Sequence, residues 1–264
     1  MGHLSVSSRE TYPKTVLLIP DTHAMPGDKL DRFAKMMAFM EDRNIVLDRV
    51  VHIGDLWDFA SLCTHDMDDP RWAHRSLQED VEAGFNALDW IASIAASYGG
   101  APIDFIEGNH EDRYNKWMAS DNRLLTSDFP KTVKQLVAQR RPTFKVRYHS
   151  FLKPVSIYGA VFQHYFVSGV MGRPQGGEHH ANNLLRSQHV SCICGHSHLL
   201  STSTRTKGDG SKIHGLVGGC FVDPEGDFAY AKAAKKLWWN GFHLLHFYAP
   251  GEFDVESISL ERLG

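Results

Sequence analysis

Five short runs of apolar, mostly β-branched residues break off in the same way, each into a cluster of polar side chains. VLLIP (residues 16–20) ends at Asp21-Thr22-His23, and RVVHI (49–53) ends at Gly54-Asp55. IDFI (103–106) runs into Glu107-Gly108-Asn109-His110, VSIYGAVFQ (155–163) reaches His164, and VSCIC (190–194) runs into Gly195-His196-Ser197-His198. Runs of this length, bounded by Gly, Pro or Asp, predict buried strands. Between the first three the period changes. Residues 29–43 place Leu30, Phe33, Met36, Met37 and Met40 at helical spacing, and residues 77–98 do the same with Val81, Phe85, Leu88, Ile91 and Ile94. A third helix is predicted over 111–119, directly after His110.

Strand, polar loop and helix in alternation is the arrangement in which open α/β sheets gather ligands beyond the carboxyl ends of their strands. The last third of the chain reads differently. Residues 213–217, 242–248 and 253–260 are separated by Gly, Asp and Pro clusters, and they are expected to be antiparallel strands finishing a second sheet. No linker, repeat or low-complexity tract intervenes, so the expectation is an α/β fold in one domain over residues 1–264. Two loops stand out. Residues 64–75 are polar and carry His65, Asp66, Asp68, Asp69 and His74; residues 167–180 contain Gly169, Gly172, Gly176 and Gly177. The glycine-rich loop suits a substrate-covering element or a plain surface loop.

Composition narrows the partners. A chain of 264 residues reaches a viable core without staples, and its four cysteines form no C-x-x-C pair. Cys192 and Cys194, two apart in a strand, read as small buried thiols rather than a metal pair. A net charge of -3 lacks the basic footprint of a general nucleic-acid binder, while leaving room for a short strand held locally. The first ten residues, MGHLSVSSRE, have no apolar signal core, and no run approaches a membrane span. The expected location is therefore the cytoplasm, with no membrane partner. Sixteen histidines are a surplus that position must explain.

The polar strand ends together supply Asp21, His23, Asp55, Asn109, His110, His164, His196 and His198, a donor mixture suited to borderline divalent ions. Asp21/His23 and His196/His198, each spaced by two, are expected to aim both side chains into one pocket from an extended strand end. The order D-x-H, G-D-x-x-D, G-N-H-E, a lone H and G-H-x-H resembles the signature of calcineurin-like metallophosphoesterases. Here it stands as Asp21–His23, Gly54–Asp58, Gly108–Glu111, His164 and Gly195–His198. The resemblance covers residues 16–198 and implies a two-sheet β-sandwich flanked by helices. It also implies that Asp21, His23 and His198 hold one metal, that Asn109, His164 and His196 hold a second, and that Asp55 bridges both. His110 would then sit near the leaving group without binding metal, and Asp58 and Glu111 are candidates for orienting imidazoles from behind.

The chemistry is coherent on its own terms. Two divalent ions bring four positive charges against two from Asp21 and Asp55, so the pocket keeps a positive balance for a phosphate ester. Ions about 3.5–4 Å apart can clamp the attacking and leaving oxygens and lower the pKa of a bound water toward about 7. Manganese is the first expectation, with iron, zinc, nickel, cobalt or magnesium as alternatives. A protonated His110 could stabilise developing charge or donate to the departing oxygen.

The serine/threonine phosphatase branch carries an arginine directly after the second motif, where this chain has Phe59. The pattern is more similar to the diesterase and small-phosphatase branches, including cyclic-nucleotide diesterases, and it also resembles phosphoesterases of bacteriophage genomes. A phosphodiesterase acting on a nucleotide or nucleic-acid ester is the leading expectation. A monoesterase, a nuclease and a non-catalytic binding protein of the same fold are the alternatives. Gly54, Gly108 and Gly195 read as tight-turn residues. His65, His74, His179, His180, His189 and His214 read as loop or surface residues, with His179 and His180 the first to reconsider. Arg113 and Arg173 could each touch a phosphate, Arg113 being better placed, or be ordinary surface charges. Lys232, Lys235 and Lys236 before Trp238 and Trp239 could form a nucleotide platform, although a solvated turn with inward tryptophans fits the same pattern.

Overall fold

The structure, a computed structural model, describes residues 10–63, 73–126, 128–140, 145–226 and 228–264. The polar cluster His65, Asp66, Asp68 and Asp69 lies outside the described residues. In chain order the first half contains β1 (Lys14–Ile19), α1 (Asp31–Asp42), β2 (Arg49–His52), α2 (Leu77–Ser97), β3 (Ile103–Ile106), α3 (Asn109–Ala119), α4 (Asn122–Leu125) and α5 (Val133–Arg140). There follow β4 (Val146–His149), β5 (Val155–Ile157), β6 (Ala160–Phe162), β7 (Val167–Ser168), β8 (Arg173–Pro174), α6 (His180–Gln188) and β9 (Cys192–Cys194). The chain closes with β10 (Leu200–Thr206), β11 (Lys212–Gly218), β12 (Gly241–Ala249), β13 (Glu252–Ser259) and α7 (Leu260–Leu263).

Six strands form one mixed sheet in the order β13-β12-β1-β2-β3-β4, and five form a second in the order β10-β11-β9-β6-β5. From β1 to β4 the first sheet is parallel, so the loops after β1, β2 and β3 leave from one edge. In the second, β6 and β11 both run parallel to β9. Central parallel strands are covered on both faces, which is why β1 is apolar at consecutive positions. Leu17 and Ile19 face α1 and α2 beside Phe33, Met36, Leu88 and Ile91. Val16 and Leu18 face the other way, in a cluster that takes in Phe162, Ile193 and Leu216 of the second sheet. The far face of that sheet is closed by α6 through Ala181, Leu184 and Leu185, against Cys192 and Cys194. The layers therefore run helices, sheet, sheet, helix, and both cysteines are buried as the strand pattern requires.

Two expectations are corrected. The late runs 242–248 and 253–260 do not finish the second sheet: β12 pairs antiparallel on the open edge of β1, and β13 on β12. The side chains of β12 are buried on both faces, with Leu245 and Phe247 between the sheets and Phe242 and Leu244 toward the helices. Both sheets are covered on two faces, so burial admits the strand to either, and its antiparallel pairing with β1 places it in the first. The run 155–163 is not one strand but the hairpin β5-β6, with Ile157 paired to Ala160. Tyr158 and Gly159 both have positive φ (48° and 81°), the requirement of a two-residue hairpin turn whose twist matches its strands.

The elements that periodicity passes over are short or lie on an edge. β4 and β10 are the outer strands of their sheets, half-solvated and polar in sequence. α6 lies at the end of the glycine-rich stretch, and its apolar positions 181, 184 and 185 carry the helical signal. No helix among the described residues is long and apolar enough to cross a membrane.

Candidate metal centre

The polar residues after β1, β2, β3, β6 and β9 meet at one edge of the two sheets. Asp21, His23, Asp55, His110, His164 and His198 are buried there, while Asn109 and His196 are half-buried. Asn109 and His110 belong to the first turn of α3, which starts two residues earlier than periodicity predicts because Gly108 already serves as its N-cap.

Three donor groups form among the described residues, one of them His23, Asp58 and His110, which shares His23 with the first of the other two. Asp21, His23 and His198 bring one ligand atom each within 4.8 Å of one another, and so do Asp55, His164 and His196. Nε2 of His23 and Nε2 of His198 stand 3.1 Å apart, with Oδ2 of Asp21 3.2 Å from the latter. In the second group Nε2 of His164 lies 3.0 Å from Oδ1 of Asn109 and 3.2 Å from Oδ2 of Asp55. Asp55 reaches toward both groups, since the same Oδ2 is 3.7 Å from Nε2 of His23.

The donor chemistry fits a cation at each of these two groups. His164 donates from Nδ1 to the carbonyl of Ile53 at 3.0 Å, which leaves Nε2 without a hydrogen in the neutral ring. That bare nitrogen faces two oxygen acceptors, so a positive centre has to stand there, either a proton or a metal ion. Burial opposes charging this ring, yet Asp55 outweighs it and pushes its pKa up to about 9. Burial also opposes ionisation of Asp55, and His164, His110 and His23 around it outweigh that, holding its carboxyl well below the usual range. Oδ1 of Asp21 is buried with no hydrogen-bond partner among the described residues, a vacant acceptor in a group of three donors. A buried acceptor left without a partner is costly unless something positive meets it.

The backbone is built around these side chains. Asp21 and Asp55 brace the loops, accepting from the N–H of His196 at 2.7 Å and of His110 at 2.9 Å. Gly108 and Gly195 have no positive φ; their role is space rather than turning, because a Cβ would lie 2.1 Å from Oδ1 of Asp55 and of Asp21 respectively. Gly54 combines both needs, with φ 109° and a Cβ position 2.5 Å from Nδ1 of His164. The extended geometry expected at the paired ligands is not what occurs. His23, Asp55, His196 and His198 have φ of 45°, 53°, 70° and 57°, in the left-handed region. Each such residue costs on the order of 1–3 kcal/mol and persists where the surroundings over-determine it.

Asp58 and Glu111 divide differently from the expectation. Asp58 does orient an imidazole, accepting from Nδ1 of His23 at 2.9 Å. Glu111 makes no hydrogen bond to a histidine among the described residues. Its carboxylate accepts four backbone N–H groups, from Leu56 and Trp57 on one oxygen and from Asp55 and Gly108 on the other, at 2.8–3.1 Å. It ties the loop after β2 to the start of α3. His110 donates from Nδ1 to the carbonyl of Asp58 at 2.6 Å, and burial pushes its pKa down to about 4.

Aromatic rings wall the centre. Trp238 meets His198 edge-on at 4.2 Å, Phe228 lies 6.2 Å from His23, and Tyr165 lies 4.7 Å from His196. Nothing in the spacing of Tyr165 or Phe228 marks them as site residues. Trp239 stacks on His243 at 4.8 Å, and Lys235 donates to the carbonyls of Pro224 and Gly226. The two tryptophans thus turn inward onto histidines; the Lys232 side chain lies outside the described residues. His180 is buried at the start of α6, 3.5 Å from the Ser197 hydroxyl, whereas His74, His179, His189 and Arg173 are exposed and His214 is half-buried.

No family model matches this chain, and no curated relative does. Among solved structures 68 chains match. One aligns over 94% of this chain and 100% of its own, at a TM-score of 0.39 and 11% identity, a likeness too slight to bear on fold or function.

Proposed function

We propose that this chain is a dinuclear-metal-dependent phosphoesterase of the calcineurin-like type, hydrolysing a phosphodiester of nucleotide or nucleic-acid kind. One observation carries the reading: Asp21, His23 and His198 gather on one side and Asp55, His164 and His196 on the other, with Asn109 against His164 and Asp55 reaching toward both sets. The four-layer order of helices and sheets supports the corresponding two-sheet sandwich flanked by helices. Asp21, His23 and His198 would hold one divalent ion, Asn109, His164 and His196 the other, with Asp55 between them and manganese the first candidate. When bound, such a pair supplies Lewis-acid polarisation of the phosphoryl group and an acidified water nucleophile.

The chain's own residues set the stage for that chemistry. Asp58 fixes the His23 tautomer, the Ile53 carbonyl fixes that of His164, and both leave Nε2 turned inward. His110, neutral at rest with its proton on Nδ1, contributes by position at the edge of the centre. Phe228 and Trp238 exclude water from the side of His23 and His198. The test is hydrolysis of bis(4-nitrophenyl) phosphate and 4-nitrophenyl phosphate by purified protein, with manganese and with chelator. Chelator-sensitive turnover favouring the diester is expected. Monoester preference would overturn the diesterase assignment, and no turnover with any divalent metal would overturn the enzymatic one.

A further inference from the structure

Arg113 stands at the rim of the candidate centre in a position an ordinary helix charge would not choose. It lies in α3, three residues beyond His110, where i±3 and i±4 neighbours are His110, Lys116, Asn109 and Trp117. None is acidic, so the intrahelical ion pair that usually settles an exposed arginine is unavailable. Lys116 on the same helix shows the ordinary case, paired with Asp112 at 2.6 Å. Arg113 is half-buried and has no ion-pair partner within 4 Å among the described residues; the carboxylate its charge acts on is that of Asp58, and its Nη2 lies 3.4 Å from Nε2 of His110.

The tautomer of His110 makes that contact directional. Nδ1 faces the Asp58 carbonyl at 2.6 Å and must donate, so Nε2 of the neutral ring is a bare acceptor, and a guanidinium can only donate to it. The ring of His110 is itself held against His23, edge-on at 4.5 Å, and its backbone N–H is held by Asp55. A continuous chain of contacts thus runs from the Asp58 carbonyl through His110 to Arg113. It anchors one N–H of a five-donor fork and leaves the other donors at the edge of the centre.

We propose that Arg113 is a substrate-contacting residue, its guanidinium held by His110 and donating to a non-bridging phosphoryl oxygen of the ester. The assignment rests on the phosphoesterase reading above. A planar, permanently charged fork suits a phosphoryl group better than an ammonium does.

The experiment compares wild type, Arg113→Ala, Arg113→Lys and the surface control Lys116→Ala, all loaded with manganese. Readouts are orthophosphate binding by calorimetry, kcat and KM on bis(4-nitrophenyl) phosphate, manganese affinity and thermal midpoint. Arg113→Ala should weaken orthophosphate binding and lower kcat/KM by about 10- to 100-fold, with manganese affinity and midpoint unchanged. Added guanidinium ion should restore part of the activity, Arg113→Lys should recover less than the full value, and Lys116→Ala should match wild type. Wild-type phosphate affinity in Arg113→Ala overturns the proposal while leaving the phosphoesterase reading intact. So does a loss that tracks manganese affinity and ignores guanidinium, since that marks a structural role. If wild type neither binds orthophosphate nor turns over ester, both readings fall together.

Discussion

Replacing Glu111 by Gln changes one atom of a buried side chain and puts the support of the candidate centre under direct strain. The carboxylate accepts four backbone N–H groups, two on each oxygen. In the amide, one acceptor becomes an NH2 group that faces two N–H donors. A buried donor left without an acceptor costs about 1–3 kcal/mol, so the substitution should destabilise the fold by about 2–6 kcal/mol. In a chain of this size that corresponds to a midpoint lower by roughly 4–24 °C, read by calorimetry and by urea unfolding at pH 7.5. Two influences compete at this residue. Burial, followed by the charge of Asp55, pushes its carboxyl up to about 7, toward the neutral form that Gln imitates. The geometry favours the ionised form, because all four neighbours are donors and a carboxyl proton would find no acceptor among them. A carboxyl titrating near 7 would also make wild type lose stability as pH rises from about 4.5 to 7, since only the fold would retain a proton there. A Gln variant within about 1 kcal/mol of wild type refutes the four-donor argument.

Gly195→Ala should abolish tight metal binding and destabilise the fold by about 1–3 kcal/mol, because its Cβ would lie 2.1 Å from Oδ1 of Asp21; unaltered manganese affinity in a calorimetric titration would contradict this. Asp58→Asn should lower metal affinity about 10- to 100-fold through loss of the charged partner of His23, and an unchanged titration would remove Asp58 from the supporting shell. Saturating manganese should stabilise wild type by about 2.7 kcal/mol at 100 times its dissociation constant; an urea midpoint indifferent to manganese and chelator would rule out a preformed site. His243 is buried, donating to the carbonyl of Gly218 at 2.8 Å, and burial pushes it down to about 4. Below about pH 6.5 the unfolded chain takes a proton that the fold refuses until about pH 4, so this residue should cost about 3 kcal/mol of stability over that interval on acidification. His243→Gln should flatten that part of the urea-midpoint profile, and a profile identical to wild type would exclude the residue as its source.

The parallel strands and the donors at their ends are legible in the sequence because one physical demand produces both. A strand buried on two faces is apolar at every position, so its end is abrupt, and the polar residues that follow stand out. Asp21, Asp55, Asn109 and His164 can be picked out on that signal alone. Edge strands such as β4 and β10 escape it, since half-solvated strands mix polar and apolar residues. The partner of β12 could not be read either: a two-sided apolar strand fits any central or covered edge, and topology alone assigns it to β1. The sequence puts Glu111 near the site and suggests a histidine partner, because spacing says where a carboxylate lies and not which backbone donors converge on it. Gly108 and Gly195 look identical to turn glycines until the neighbouring carboxylates are in view.

The left-handed backbone at His23, Asp55, His196 and His198 restricts which sequences can build such a pocket. Outside glycine, that conformation is tolerated best by asparagine, aspartate and histidine. Those are also residue types whose oxygen or nitrogen atoms bind borderline divalent ions. At these four positions conformation and coordination therefore select from the same short alphabet. Glutamate at position 55 would keep the carboxylate while moving it outward on a residue type less suited to that turn, so substitutions that look conservative by charge are not conservative by shape. A search for chains that share this pocket would do better to ask which positions admit only Asn, Asp, His or Gly than to score overall similarity.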